Sequence, residues 1–140
     1  MALMVRDVQQ GDLNFIRDSF VKSARKIAMT TGFEHQQLRN LLDKAILFHW
    51  NCTVLCEQSE PDEILAWQIS EPGHRRLFYL LRNAKYRAIK GLGMKLLEFT
   101  MKPGPLYCAF VQPAYAMYFA ECGYDVKLRP YIAAEIASYE

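Results

Sequence analysis

The sequence predicts an α/β (α+β) fold: a mixed, mostly antiparallel twisted sheet of six to seven strands with a central parallel pair, flanked by about four helices. Three observations predict it. The N-terminal third holds two stretches with apolar residues at helical spacing, the middle holds short apolar runs separated by turn residues, and a strand, helix, strand pattern follows. The 140 residues, 51% of them hydrophobic, suit one compact domain, 1–140, around one core.

Met4 to Val8 reads as the first strand. Gly11 and Asp12 then open a helix whose apolar stripe is Leu13, Ile16, Phe20, Ala24 and Ile27, and Gly32 ends it. A second helix from Glu34 to His49 repeats the stripe with Leu38, Leu41, Leu42, Ala45 and Phe48. Cys52 to Glu57 and Ile64 to Ser70 are strands joined by Ser59, Glu60, Pro61 and Asp62, a turn cluster that predicts an antiparallel pair. Leu77 to Arg82 is an unbroken apolar run that ends in a cation, the pattern of a strand buried on both faces.

Gly91 to Thr100 reads as a helix with Leu92, Leu96 and Phe99 on its buried side and Leu97 beside them, and Pro103, Gly104 and Pro105 stop it. Leu106 to Val111 follows as a strand. A helix between two strands implies a right-handed crossover, so Leu77–Arg82 and Leu106–Val111 are predicted to run parallel and to diverge at the C-terminal end. Pro113 starts a short helix through Cys122, Gly123 caps it, and Val126–Leu128 with Ile132–Ala137 are predicted to close the chain as a hairpin around Pro130.

A net charge of +2 is too small to imply nucleic acid or a membrane surface. Arg75, Arg76, Arg82, Lys85, Arg87 and Lys90 do concentrate charge, but without interleaved exposed aromatics, so no nucleic-acid partner is expected. Met1 to Val8 has no long apolar run and reads as neither signal peptide nor anchor, which predicts a cytoplasmic protein and no membrane partner. Of the four cysteines, Cys52, Cys56, Cys108 and Cys122, three lie in apolar segments and read as reduced core thiols. Cys52 and Cys56 would stand about 13 Å apart along one strand, too far for a disulfide or a shared metal. No metal site is expected.

The segment Tyr86-Arg87-Ala88-Ile89-Lys90-Gly91-Leu92-Gly93 joins a buried strand to a helix. Glycines there let the backbone approach a bound group, free amides and the helix dipole favour a pyrophosphate, and Arg87 and Lys90 add charge. A G-x-G beside basic residues fits an ordinary helix entry equally well. With its context the segment resembles the acyl-CoA loop of the GNAT superfamily of N-acyltransferases. Lys90-Gly91-Leu92-Gly93-Met94-Lys95-Leu96-Leu97 carries the later part of that loop, while Arg87 lies four residues before Gly91 where three is usual.

Ala114 to Tyr124 is similar to the family's A-x-x-x-[LF]-Y-x-x-x-G-[FY] signature. The N-terminal half, Asp18 to Arg25 and then Val54-Leu55-Cys56 to Asp62-Glu63-Ile64-Leu65-Ala66-Trp67, resembles GNAT-like proteins common in bacteriophages, with their D-S-W-L-K-S-Y-R and P-D-x-I-x-G-W patterns. The resemblance implies acetyl-CoA or another acyl-CoA as cofactor and an amine acceptor. It implies that Leu80, Leu81 and Arg82 offer backbone groups to the pantetheine arm, and that Arg87, Ala88, Ile89, Lys90, Gly91, Leu92 and Gly93 hold the pyrophosphate.

Many members of that family use a tyrosine to protonate the departing thiolate, at the place where Phe119 stands here. Tyr118 is the candidate acid in its stead. Tyr115 is also near, but neighbouring helical positions differ by about 100°. For a general base the candidates are Glu57, Glu71 and His74, the last two in a turn. Two functions follow: acyl transfer to an amine, or a GNAT-fold structural or interaction module of a bacteriophage that has lost transfer. The Gly91 and Gly93 pair, with little other structural need in the sequence, favours transfer. Acceptor, acyl group and self-association stay open.

Overall fold

A computed structural model describes residues 2–26, 34–47, 50–110 and 112–138. Ile27, Gly32, Phe48, His49 and Val111, assigned above to elements or their ends, lie outside the described residues. The order of elements is β1 (Leu3–Asp7), α1 (Leu13–Ala24), α2 (His35–Leu47), β2 (Asn51–Glu57), β3 (Ala66–Glu71), β4 (Arg76–Arg82), α3 (Leu92–Thr100), β5 (Gly104–Cys108), α4 (Pro113–Glu121), β6 (Tyr124–Leu128) and α5 (Tyr131–Ala137). The strands form one six-stranded sheet in sequence order, antiparallel from β1 to β4 and parallel from β4 to β6.

The helices cover both faces of the sheet. On one face Ile16, Phe20 and Ala24 of α1, Leu38, Leu42 and Ala45 of α2, and Ile132 and Ile136 of α5 pack on Val54, Trp67, Ile69 and Tyr79. On the other, Leu92, Leu96 and Leu97 of α3 and Phe119 of α4 pack on Leu55, Ala66, Leu77, Leu80 and Leu106. The two amphipathic stripes of the N-terminal third therefore find the sheet they need. Asp12 fixes the entry to α1, accepting two hydrogen bonds from the Arg6 guanidinium at 2.7 and 3.1 Å and one from the Gln9 amide at 2.8 Å.

Three expectations are corrected. Phe99 is exposed (57%) because the buried arc of α3 is centred on Gly93 and Leu97, and at about 100° per residue Phe99 falls outside it. Residues 132–137 are helical. Ile132 and Ile136 stand at i, i+4, and both bury in the core that α1 and α2 form. No hairpin closes the described chain, and β6 instead pairs parallel with β5, Gly104 opposite Tyr124 through Cys108 opposite Leu128. The rule used for α3 applies a second time, since α4 is also a helix between two strands.

The feature that shapes the site lies in β4. Ile69 pairs with Tyr79 but Ser70 with Leu77, so Phe78 is an extra residue, a β-bulge. Phe78 and Tyr79, although consecutive, both belong to the α1 face, while Leu77 and Leu80 belong to the α3 face. Before the bulge the carbonyls of Arg75 and Leu77 accept from Tyr107 and Ala109 on the β5 side. The β4–β5 pairing covers only Arg76 with Tyr107 and Leu77 with Cys108. Past that point the two strands part.

Candidate functional site

Where β4 and β5 separate, a cleft of about 580 Å³ opens, lined by residues of α1, the end of β4, the following turn and the start of α4. The gap leaves backbone groups of β4 without a strand partner, and two side chains meet them. Gln112 Nε2 donates to the Leu80 carbonyl at 2.5 Å, and the Arg82 amide donates to the Tyr115 hydroxyl at 3.0 Å. Buried backbone groups require such partners.

The opposite wall is α1 with the turn that follows it: the helix presents Ser19, Lys22 and Ser23, positions i, i+3 and i+4 of one face, and Lys26 stands in the turn. Small side chains at 19 and 23 keep the cleft open. Their hydroxyls also serve the aromatic core below: Trp67 Nε1 donates to Ser19 Oγ at 3.0 Å, and Ser23 Oγ shares a hydrogen bond of 2.6 Å with the Tyr79 hydroxyl. Burial pushes Tyr79 up to about 12 despite that bond, so it stays a neutral phenol.

Lys22, Lys26, Arg82 and Arg87 all line the cleft, and no carboxylate or histidine is among the described lining residues. The electrostatic character is therefore that of an anion site. Other cations of the same sequence neighbourhood are engaged elsewhere. Arg75 donates to the carbonyls of Pro105 and Lys102, Arg76 pairs with Glu71 at 2.7 Å, and Lys85 pairs with Glu63 at 3.3 Å.

Of the residues expected to hold a cofactor, Leu81, Arg82 and Arg87 line the cleft and Leu80 contributes its carbonyl at the edge. Ala88, Ile89, Lys90, Gly91, Leu92 and Gly93 are not among the lining residues. Ile89 is half-buried over a small separate cavity with Tyr86 and Glu63, whose side chains hydrogen-bond at 2.6 Å. Lys90 and Gly91 are exposed at the entrance to α3, and Leu92 and Gly93 are buried.

Both glycines turn out to have structural reasons, contrary to the expectation from sequence. Gly91 has φ +81°, the left-handed region, at the N-cap of α3. A Cβ on Gly93 would stand 2.7 Å from Tyr115 Cε1 and 3.1 Å from Leu80 Cδ2. Gly93 is thus the flat surface on which the Tyr115 ring lies.

Tyr118 is 58% exposed and is not among the lining residues, whereas Tyr115 is. The reason is helical spacing. Phe119 is buried, and the residue that shares its face of α4 is four positions back, Tyr115, whose ring stacks on Phe119 at 5.7 Å and 14°. Burial raises the Tyr115 pKa, opposed by the hydrogen bond from the Arg82 amide and by the Arg82 charge. The candidate bases lie elsewhere: Glu71 is held by Arg76, His74 is exposed, and Glu57 borders the small cavity with Glu60 and Glu63.

Ser19, Lys22, Ser23, Lys26, Gln112 and Tyr115 were not identified as site residues from sequence. The signal for the first four was present as a polar strip beside the apolar stripe of α1. Burial pushes Cys52 and Cys108 up to about 12, so neither is a nucleophile at neutral pH. Among the described residues no cluster of His, Cys, Asp or Glu could hold a metal, and no helix is long and apolar enough to cross a membrane.

No family model matches the chain, and no curated protein matches it. Among solved structures, a protein described as a possible acetyltransferase from Clostridium difficile 630 aligns over 92% of this chain and 95% of its own, with TM-score 0.60 at 14% identity. An N-acetyltransferase from Staphylococcus aureus Mu50 aligns over 71% of this chain and 64% of its own, with TM-score 0.48 at 16% identity. The first likeness shows that the chain has a GNAT-like fold.

Proposed function

We propose that the protein is an acyl-CoA-dependent N-acyltransferase that moves an acetyl or related acyl group to an amine. The observation that carries the reading is the opening between β4 and β5, which sets a cationic cleft against a strand edge with backbone groups to offer. The residues present fit the cofactor. Arg82 and Arg87 suit its phosphates, the amides at the start of α3 behind Gly91 suit a pyrophosphate, and Leu80 and Arg82 suit the amide-rich arm. Gln112 and Tyr115 would then exchange their present partners.

Bound acyl-CoA would supply the acyl group as an activated thioester. The chain contributes position and a proton. Once the cofactor takes the Arg82 amide, the Tyr115 hydroxyl, which lines the cleft, is released to donate its proton there, and burial raises its pKa so that it stays protonated at neutral pH. Tyr118, exposed on the same helix, is the alternative donor. Holding the two reactants together supplies most of the acceleration in this scheme.

A second reading, a non-catalytic structural or interaction module such as a bacteriophage would encode, is favoured by one observation. Gln112 and Tyr115 already satisfy the strand edge, and among the described lining residues there is no carboxylate or histidine to act as base. Calorimetry with acetyl-CoA separates the two. Binding by the parent protein, weakened at least tenfold in Arg87→Glu and in Gly91→Glu, is expected. Gly91→Glu also strains a left-handed residue by about 1–2 kcal/mol, so circular dichroism must show the variant folded. A parent that does not bind acetyl-CoA would reject the catalytic reading in favour of the second.

A further inference from the structure

The cleft has two walls of different origin. Arg82 and Arg87 come from β4 and the turn before α3, the side assigned to the cofactor above. Ser19, Lys22 and Ser23 come from α1 and Lys26 from the turn after it, across the cleft. Lys22 and Lys26 are exposed and make no ion pair with a described carboxylate, and after Lys26 the chain has no acidic residue until Glu34. Asp18 stands four residues before Lys22 on α1, about 40° from it round the helix, but forms no ion pair with it and is not a lining residue.

We propose that the α1 wall is the acceptor subsite and that its substrate is a small amine bearing an anionic group, a carboxylate or a phosphate, which Lys22 and Lys26 bind. The proposal rests on the acyl-transfer reading. With Arg82 and Arg87 taken by the cofactor's phosphates, Lys22 and Lys26 are the lining cations left to the acceptor, and they repel a polycation and attract an anion, the more so because the Debye length at physiological salt, about 8 Å, is comparable to a cleft of this size. The same field addresses the missing base. Nearby positive charge disfavours an ammonium, so an amine held there by its anionic group loses its proton to water more readily. The neutral nitrogen then bonds to the acyl carbon as the carbon–sulfur bond breaks. The sulfur leaves with the bonding pair and takes one proton, and the nitrogen gives one up.

The serines define the remaining chemistry of the wall. Their hydroxyls are committed to Trp67 and Tyr79, so they add a polar but uncharged floor and leave recognition of charge to the lysines.

The test follows coenzyme A release at saturating acetyl-CoA with four amines: glutamate, O-phosphoserine, the uncharged-tail amine benzylamine, and the polycation spermidine. The two anionic amines are expected to exceed benzylamine at least tenfold in kcat/KM, and spermidine to fall below it. Comparing glutamate with O-phosphoserine identifies which anion is preferred. In Lys22→Glu/Lys26→Glu the anionic preference is expected to be lost mainly through KM and the spermidine rate to rise, with the acetyl-CoA Kd unchanged by calorimetry. Lys22→Gln/Lys26→Gln repeats the test without new charge.

Spermidine or benzylamine as the best acceptor overturns the proposal, as does acetyl-CoA binding without turnover of any of the four. A double variant that weakens acetyl-CoA itself overturns it too, because the α1 wall would then belong to the cofactor. No binding of acetyl-CoA by the parent rejects the acyl-transfer reading as well, and that outcome is read separately from the others.

Discussion

Adding one methyl group at Gly93 tests how the cleft is built. In Gly93→Ala the new Cβ meets Tyr115 Cε1 at 2.7 Å and Leu80 Cδ2 at 3.1 Å, so the Tyr115 ring must retreat by about 0.7 Å to regain ordinary contact. It cannot do so freely. Its hydroxyl is held by the Arg82 amide at 3.0 Å and its other face stacks on Phe119 at 5.7 Å. Overpacking of this kind costs about 1–3 kcal/mol, and a weakened hydrogen bond adds about 0.5–1.5 kcal/mol. The helical preference for alanine returns up to about 1 kcal/mol.

The net expectation is a loss of about 1–3 kcal/mol. With an unfolding entropy of about 0.3 kcal/mol/K for a chain of 140 residues, this lowers Tm by about 3–10 °C. A double-mutant cycle with Tyr115→Leu isolates the contact, since removing the ring should relieve most of the cost of the methyl. Differential scanning calorimetry on the four proteins measures both quantities. An unchanged or raised Tm in Gly93→Ala, or additive losses in the double variant, would refute the packing assigned to Gly93.

Three further outcomes are expected. Tyr115→Phe should lower turnover by about ten- to a hundredfold, with acetyl-CoA affinity nearly unchanged, while Tyr118→Phe leaves it as in the parent; the reverse pattern would assign the proton to Tyr118. Asp12 has its pKa held below the ordinary 3.8, first by the hydrogen bond from Arg6, so its contribution is present above about pH 4 and is lost as pH falls through the lowered value. Asp12→Asn should therefore cost about 1.5–3 kcal/mol near neutrality and flatten the acid limb of a urea-midpoint against pH curve. Finally, only Cys122 is exposed, so a thiol reagent should modify one group quickly in the folded protein and the remainder only in denaturant.

The N-terminal elements were legible because each carried a period that only one structure satisfies. Leu38, Leu41, Leu42 and Ala45 can bury together only on a helix, and the turn residues Pro72 and Gly73 ahead of the run from Leu77 to Leu80 favoured a strand buried on both faces, which it is. The C-terminal end misled because Ile132 to Ala137 is short and apolar, a pattern that periodicity alone assigns poorly. The site was half legible. Arg82 and Arg87 follow the strand in sequence, whereas Lys22 reaches the same cleft only through the packing of α1 across the sheet. Tyr115 was within reach of the i, i+4 rule applied from Phe119, but the Gln112 contact depends on where β5 stops, which no local pattern states.

The bulge at Phe78 sets a parity. In an unbroken strand the carbonyls of two residues an odd number apart face opposite neighbours, yet those of Leu77 and Leu80 both face away from β3, one toward Ala109 and the other toward Gln112. One inserted residue has thus shifted the count by one, dividing β4 into a half that belongs to the sheet and a half that belongs to the cleft. Were Phe78 drawn into regular pairing with the chain length unchanged, the hydrogen-bonding groups of Tyr79 and Leu81 would turn outward in place of those of Leu80 and Arg82. Gln112 and Tyr115 would no longer meet the Leu80 carbonyl and the Arg82 amide. The functional surface of this protein therefore hangs on one irregularity of pairing, which could be lost with every cleft-lining residue still present in the sequence.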